Sequence, residues 1–231
     1  MSALSRPRLR RFVDRLLGAR RERRRVFRRI YLENAWGSEE SRSGPGSGLA
    51  RTQPLREALP AVLAEHGVRV LLDAPCGDFH WMRHLRYDLV RYVGVDVVPE
   101  VIEAARRAPA PFPAEFLVAD VVDDALPAAD AVLCRDALVH LPLKDGVRAI
   151  ANFRRSGARV LLATTFPATP GNDDCRTGAW RPRDLSKPPF DLGPPLRTLN
   201  DASPDRPDKV LGVWLLSPAA RGVQRREASS G

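Results

Sequence analysis

The stretch from Val68 to Asp96 constrains the fold most. A short apolar run, Val68-Arg69-Val70-Leu71-Leu72, ends in Asp73-Ala74-Pro75-Cys76-Gly77-Asp78, and a second run, Tyr92-Val93-Gly94-Val95, ends at Asp96, 23 positions after Asp73. Runs this rich in β-branched residues suit strands buried on both faces of a parallel sheet. Gly67 closes the preceding helix. Gly77 has no side chain, so a turn there lets the backbone pass close to a ligand, and Asp78 is placed to cap a following helix. Asp96, at the carboxyl end of its strand, is placed to accept hydrogen bonds from two ribose hydroxyls, as the acid about 20 positions beyond a glycine turn does in dinucleotide folds.

The glycines exclude a nicotinamide enzyme. A pyrophosphate needs Gly-x-Gly-x-x-Gly to sit on a helix N-terminus, whereas here Gly77 stands alone between Pro75 and Phe79. A ligand carrying adenosine without phosphate escapes this objection, and S-adenosylmethionine is the common one. An acid such as Asp73 also suits an ammonium or a sulfonium better than a phosphate.

With these residues in place, the chain resembles a class I S-adenosylmethionine-dependent methyltransferase, and in particular a bacterial subfamily of that fold. The matching pieces are Asp-Ala-Pro-Cys-Gly-Asp-Phe-His-Trp-Met (73–82), Tyr-Val-Gly-Val-Asp-Val-Val-Pro-Glu (92–100), Cys-Arg-Asp-Ala-Leu-Val-His-Leu (134–141), Thr-Thr-Phe-Pro (164–167) and, upstream, Trp-Gly-Ser-Glu-Glu-Ser-Arg-Ser-Gly-Pro-Gly-Ser (36–47). One departure is clear: the superfamily's first motif is acidic-x-Gly-x-Gly-x-Gly, and Pro75 and Phe79 replace its first and third glycines. The resemblance implies a Rossmann-like, doubly wound α/β fold with a seven-stranded sheet, mostly parallel and completed by a C-terminal antiparallel hairpin. It implies a donor held by Asp73, Ala74, Pro75, Cys76, Gly77, Asp96 and Val97, with Asp120 accepting from the adenine amine and the Val121 amide beside the ring. S-adenosylhomocysteine would be the product. Arg135 would fix a carboxylate of cofactor or substrate. The segment 135–142 lies where this fold brings the acceptor to the sulfonium, which makes His140 the first candidate base and Asp136 a second base or the orienter of His140. A structural His140, capping the next helix, is the competing reading.

Composition fits one domain: 231 residues, 44% hydrophobic, suffice for one core. No apolar run reaches the 18 or so residues that span a bilayer, and the start lacks the h-region of a secretory signal, so the expectation is a soluble, cytoplasmic protein. Cys76, Cys134 and Cys175 are too few and scattered for a disulfide framework or a zinc site, and no metal is expected. Cys76 and Cys134 either line the pocket or fill the core. The net charge of +9 is local: residues 1–30 hold twelve arginines against Asp14 and Glu22, a balance of +10, so the other 201 residues together carry −1. Leu9, Phe12, Val13, Leu16 and Leu17 follow helical amphipathic spacing, and Val26, Phe27, Ile30 and Tyr31 resume after the charged run 20–25. This arm, residues 1–35, docks its stripe on the domain, lies on an anionic membrane surface, or contacts nucleic acid. The near-neutral body argues against nucleic acid. On this reading, deleting residues 1–30 leaves cofactor binding intact.

Residues 36–217 form the domain and 218–231 a disordered tail. Ser38–Ser47 reads as a linker by composition, while the resemblance makes it a lid carrying Trp36 and Arg42 over the pocket. Helices are expected at 54–65, ended by a dipole-stabilising His66, and at 99–107 and 144–153. Further strands are expected at 115–119, 129–134 and 160–163, and a hairpin at 196–200 and 209–216. Thr165, and Asn172, Trp180 and Arg181 in the long polar loop 170–195, form the expected acceptor site, with Trp36 and Arg42 above it. A small molecule or glycan is slightly favoured as methyl acceptor. The rival reading is a catalytically silent cofactor-binding or interaction module acting through the basic arm.

Overall fold

The computed structural model describes the backbone of residues 6–216 and the side chains of residues 18–216, so the apolar stripe Leu9–Leu17 and the expected tail lie outside the described residues. In chain order the elements are α1 (Arg6–Leu32), α2 (Leu49–Glu65), β1 (Val70–Asp73), β2 (Arg91–Asp96), α3 (Pro99–Arg107), β3 (Ala114–Val118), β4 (Ala131–Cys134), α4 (Leu143–Arg155), β5 (Val160–Thr165), β6 (Arg197–Asn200) and β7 (Val210–Leu215). The strands form one sheet in the order β3-β2-β1-β4-β5-β7-β6. Strands β1 to β5 are parallel, and β7 runs antiparallel to both β5 and β6. The Rossmann-like α/β fold with its terminal hairpin is therefore as the sequence implied.

Two apolar layers flank the sheet. Leu55, Leu59, Val62 and Leu63 of α2 pack with Phe79, Tyr92 and Phe116 in one. Ala149, Ile150 and Phe153 of α4 pack with Leu72, Val93, Val132 and Trp214 in the other. Phe79, which occupies the third glycine position of the superfamily motif, sits with its ring about 5.0 Å from both Tyr92 and Phe116. It belongs to the core.

Two features differ from expectation for local reasons. Helix α2 begins at Leu49 rather than Pro54, because Glu40, nine residues upstream, accepts the first helical N–H, that of Leu49, at 2.7 Å. It ends as expected, with Gly67 at φ +60 and Val68 N–H bonded to Leu63 O. No helix follows the Gly77 turn. Gly77 and Phe79 both have positive φ, which is incompatible with helix, and only a short 3-10 turn forms at Met82–His84. Asp78 is therefore not a helix cap.

Candidate functional site

Parallel topology sends the carboxyl ends of β3, β2, β1 and β4 to one edge, where chain connections diverge on either side of β1. A cavity of about 1000 Å³, mouth included, lies there. Its floor carries Asp73, Pro75, Cys76 and Gly77 after β1, Asp96 and Val97 after β2, Asp120 and Val121 after β3, and Arg135 and Asp136 after β4. Four adjacent strand ends, at strand spacing, measure roughly 14 Å across. Ala74 alone of the expected donor residues is not in the wall; it is buried, and its N–H bonds Leu133 O.

Two buried acids dominate the floor. Asp73 accepts a 2.6 Å hydrogen bond from the Tyr92 hydroxyl, yet burial pushes its carboxyl up to about 7. Asp96 accepts from the Val98 N–H at 2.9 Å, with the Gly77 and Val97 amides also directed to it, and burial still raises it to about 6. Neither forms a salt bridge among the described residues. Desolvated carboxylates without a salt-bridge partner favour a ligand that brings positive charge or hydroxyl donors. Burial also raises the Cys76 thiol. Cys134 is buried in the core instead.

The roof is contributed by two segments. The strap 36–48 supplies Trp36, Ser43 and Ser47 to the wall. Asp78 clamps it, accepting from the Ser41 hydroxyl (2.9 Å), the Arg42 N–H (3.0 Å) and the Ser43 hydroxyl (3.1 Å). Ser43 sits so close to Gly77 that a Cβ there would lie 2.3 Å from its Oγ. The glycine thus admits the strap as well as facing the cavity.

Helix α1 supplies Arg23, Phe27 and Tyr31. Arg23 is 2% exposed and donates to Asp120 (Nε, 2.9 Å), Asp145 (Nη1, 2.8 Å) and Asp123. Burial opposes its charge, but the three carboxylates outweigh that and raise its pKa. Asp120 itself is raised by burial despite Arg23. Further out, Arg20 pairs with Asp124 at 2.7 Å and Arg28 with Glu100 at 2.5 Å. The arm from Arg20 to Tyr31 is therefore docked on the domain, and part of it is cavity wall, which runs against the expectation that residues 1–30 are dispensable for the cofactor. Arg23 was not singled out from the sequence, where residues 20–25 read only as a charged run between apolar positions. Its spacing to Phe27 and Ile30 (i, i+4, i+7) was the available signal.

At the β4 end, Arg135 is buried and bonded to Asp201 (2.7 and 3.0 Å), so its guanidinium is already committed to a carboxylate of the chain itself. Asp136 accepts from Lys209 Nζ at 2.6 Å; burial disfavours its charge, but Arg135 and Lys209 overcome this and hold it down at about 2. A carboxylate that weakly basic is an electrostatic fixture, not a proton acceptor near neutrality. His140 is not in the cavity wall. Its Nδ1 bonds the Ala179 carbonyl at 3.0 Å, which makes Nδ1 the protonated nitrogen and leaves Nε2 with a lone pair. Its ring lies 5.1 Å from that of Trp36, and burial lowers its pKa, so it is neutral at pH 7.

The other expected acceptor residues are placed elsewhere. Thr165 Oγ1 donates to Arg183 O and accepts from Leu185 N–H. Asn172 bonds Asp184 and Pro188 backbone atoms and so fastens the loop to itself. Trp180 packs edge-on against Phe166 at 5.8 Å, with Arg206 over its ring, and Arg181 lines a separate shallow depression with Thr169 and Arg206. Arg42 bonds the carbonyls of Tyr31 and Leu32 at the end of α1. Of the expected substrate residues, the cavity wall contains Trp36. Trp81, inside the 73–82 motif but not singled out, also lines it, with the Arg135 guanidinium 5.5 Å from its ring. No helix among the described residues is long and apolar enough to cross a membrane.

Residues 71–158 match a family model described as a methyltransferase domain. No curated protein matches the sequence. Among solved structures, magnesium protoporphyrin IX methyltransferase (ChlM) from Synechocystis PCC 6803 with bound S-adenosylmethionine aligns with a TM-score of 0.61 at 16% identity, covering 86% of this chain and 97% of that one. The N-methyltransferase NodS from Bradyrhizobium japonicum WM9 aligns with a TM-score of 0.52 at 16% identity, covering 72% and 93%. At such identities these likenesses speak to the fold.

Proposed function

We propose that the chain, whose residues 71–158 match a methyltransferase domain, is a class I, S-adenosylmethionine-dependent methyltransferase, and that it methylates a small molecule, a glycan fragment included, enclosed between the sheet edge, the strap and α1. The single observation that carries the donor placement is the pair of buried carboxylates, Asp73 and Asp96, at adjacent strand ends in one cavity, neither with a salt-bridge partner among the described residues. Asp73 suits the amino-acid ammonium, Asp96 the ribose hydroxyls, and the loop at Asp120 and Val121 the adenine. That order along the edge leaves the methyl group facing the β4 end.

When bound, the donor supplies an electrophilic methyl on a sulfonium: the acceptor's lone pair forms the new bond to carbon, the carbon–sulfur bond breaks, and S-adenosylhomocysteine leaves with the electron pair. The chain's own residues then mainly align and exclude water. Trp36, Ser43, Ser47 and Trp81 bound the acceptor space, and the Arg135–Asp136–Asp201–Lys209 cluster fixes its polar wall. His140, held with Nε2 unprotonated, is the base available once Trp36 moves aside with the strap. A covered cavity supports a compact acceptor over a macromolecular one.

Calorimetric titration with S-adenosylhomocysteine tests the donor reading. The wild type should bind, and Asp96→Ala, lacking two charge-assisted hydrogen bonds, should bind at least about tenfold more weakly. Equal binding by Asp96→Ala would show that the ribose lies elsewhere.

A further inference from the structure

Arg23 is the most enclosed cation in the wall, and it comes from a helix about a hundred residues away in sequence from its partners. Its three carboxylates have distinct positions: Asp120 and Asp123 belong to the turn after β3, and Asp145 to the first turn of α4. The same turn is held from below by Asn152, whose amide donates to Val121 O and Asp124 O at 2.8 Å each, and from the side by Arg148, bonded to Asp123. Without Arg23, two acids of this turn and one of α4 would face one another in a buried space with only the half-exposed Arg148 nearby. Like charges so placed repel strongly and would push the turn outward.

We propose that Arg23 is a donor-positioning residue: it neutralises Asp120, Asp123 and Asp145 together, fixes the turn that forms the adenine end of the cavity, and so links docking of α1 to occupancy of the donor site. This rests on the donor reading above. Linkage is reciprocal, so whatever α1 docking adds to donor affinity, the donor adds to α1 docking. Phe27 and Tyr31, one and two turns further along the same helix, complete the wall over the donor. Arg21, Arg24, Arg25 and Arg29 point outward and are exposed, which gives trypsin sites that report on whether α1 is seated.

The experiment uses the full chain. S-adenosylhomocysteine is titrated into wild type, Arg23→Gln and Arg23→Lys below the melting temperature of each. Arg23→Gln should raise Kd on the order of tenfold, and Arg23→Lys should fall between, because a single ammonium keeps the charge but cannot reach three carboxylates with a planar fork. A purely structural residue would lower the apo melting temperature and leave the Kd of the folded protein unchanged, which would overturn the proposal. The second measurement needs no variant: S-adenosylhomocysteine should slow tryptic cleavage of the wild type after Arg21, Arg24, Arg25 and Arg29 several-fold, read by fragment mass. Unchanged cleavage in saturating ligand would overturn the linkage. A wild type that fails to bind S-adenosylhomocysteine would remove the donor reading itself, whereas binding with an indifferent Arg23→Gln removes this inference alone.

Discussion

Asp73 illustrates how one residue type serves two ends. Its carboxyl is buried, bonded by one neutral hydroxyl, and raised to about 7. Because the folded value lies above that of a solvated aspartate, the apo fold takes up a proton there. The associated stability is fully present below about pH 4 and is lost as the pH rises through 7. The donor's ammonium reverses the preference, since it needs the ionised form. Affinity for S-adenosylhomocysteine should therefore rise roughly tenfold between pH 6 and pH 8, the change in the ionised fraction of a group titrating at 7. Calorimetry across that range checks it, and Asp73→Asn should bind weakly with a profile that changes only about twofold, the contribution of Asp96 at about 6. A steep profile in Asp73→Asn would assign the titration to another group. Asp73 and Asp96 were legible because a strand-ending acid needs only local pattern to recognise. Arg23 was not: its meaning depends on Asp120, Asp123 and Asp145, which nothing in residues 20–25 announces.

Among the connecting segments, the strap 36–48 has little regular structure but several specific attachments. Composition reads it as a linker, yet Glu40 caps α2, Asp78 gathers Ser41, Arg42 and Ser43, and Arg42 returns to the end of α1. The sequence carried the strap only as a resemblance, since each attachment joins segments that are distant in the chain. The repeating strands and helices were legible to within a few residues, because burial alone sets their period. Gly77 offers the sharpest test of the strap. Gly77→Ala places a methyl against Ser43 Oγ at a backbone φ of +56, so it combines strain with a clash. Chemical denaturation should show a loss of about 1–3 kcal/mol. Stopped-flow displacement of S-adenosylhomocysteine should show faster release, because the strap no longer seats. A destabilised variant with unaltered release would mean that the strap does not cover the ligand.

For the whole molecule, the charge asymmetry acquires a structural meaning. The +10 of residues 1–30 is not one uniform patch: Arg23 is buried, Arg20 and Arg28 are paired with acids of the body, and Arg21, Arg24, Arg25 and Arg29 face outward. Exposed pairs contribute little and are screened by salt, whereas the buried cluster is shielded from it. Removal of residues 1–32 would leave three carboxylates around an empty cationic site and strip Phe27 and Tyr31 from the cavity. The truncated protein should melt several degrees lower than the full chain and show no stabilisation by S-adenosylhomocysteine, as read by differential scanning fluorimetry. Raising the salt of the full chain from 0.05 to 0.5 M should by contrast change ligand stabilisation only slightly, because the pairs it weakens are the outer ones. A truncated protein that binds as tightly as the full chain would make α1 a bystander to the donor site, and a full chain that loses binding in salt would place the anchoring energy in Arg20 and Arg28 rather than in Arg23.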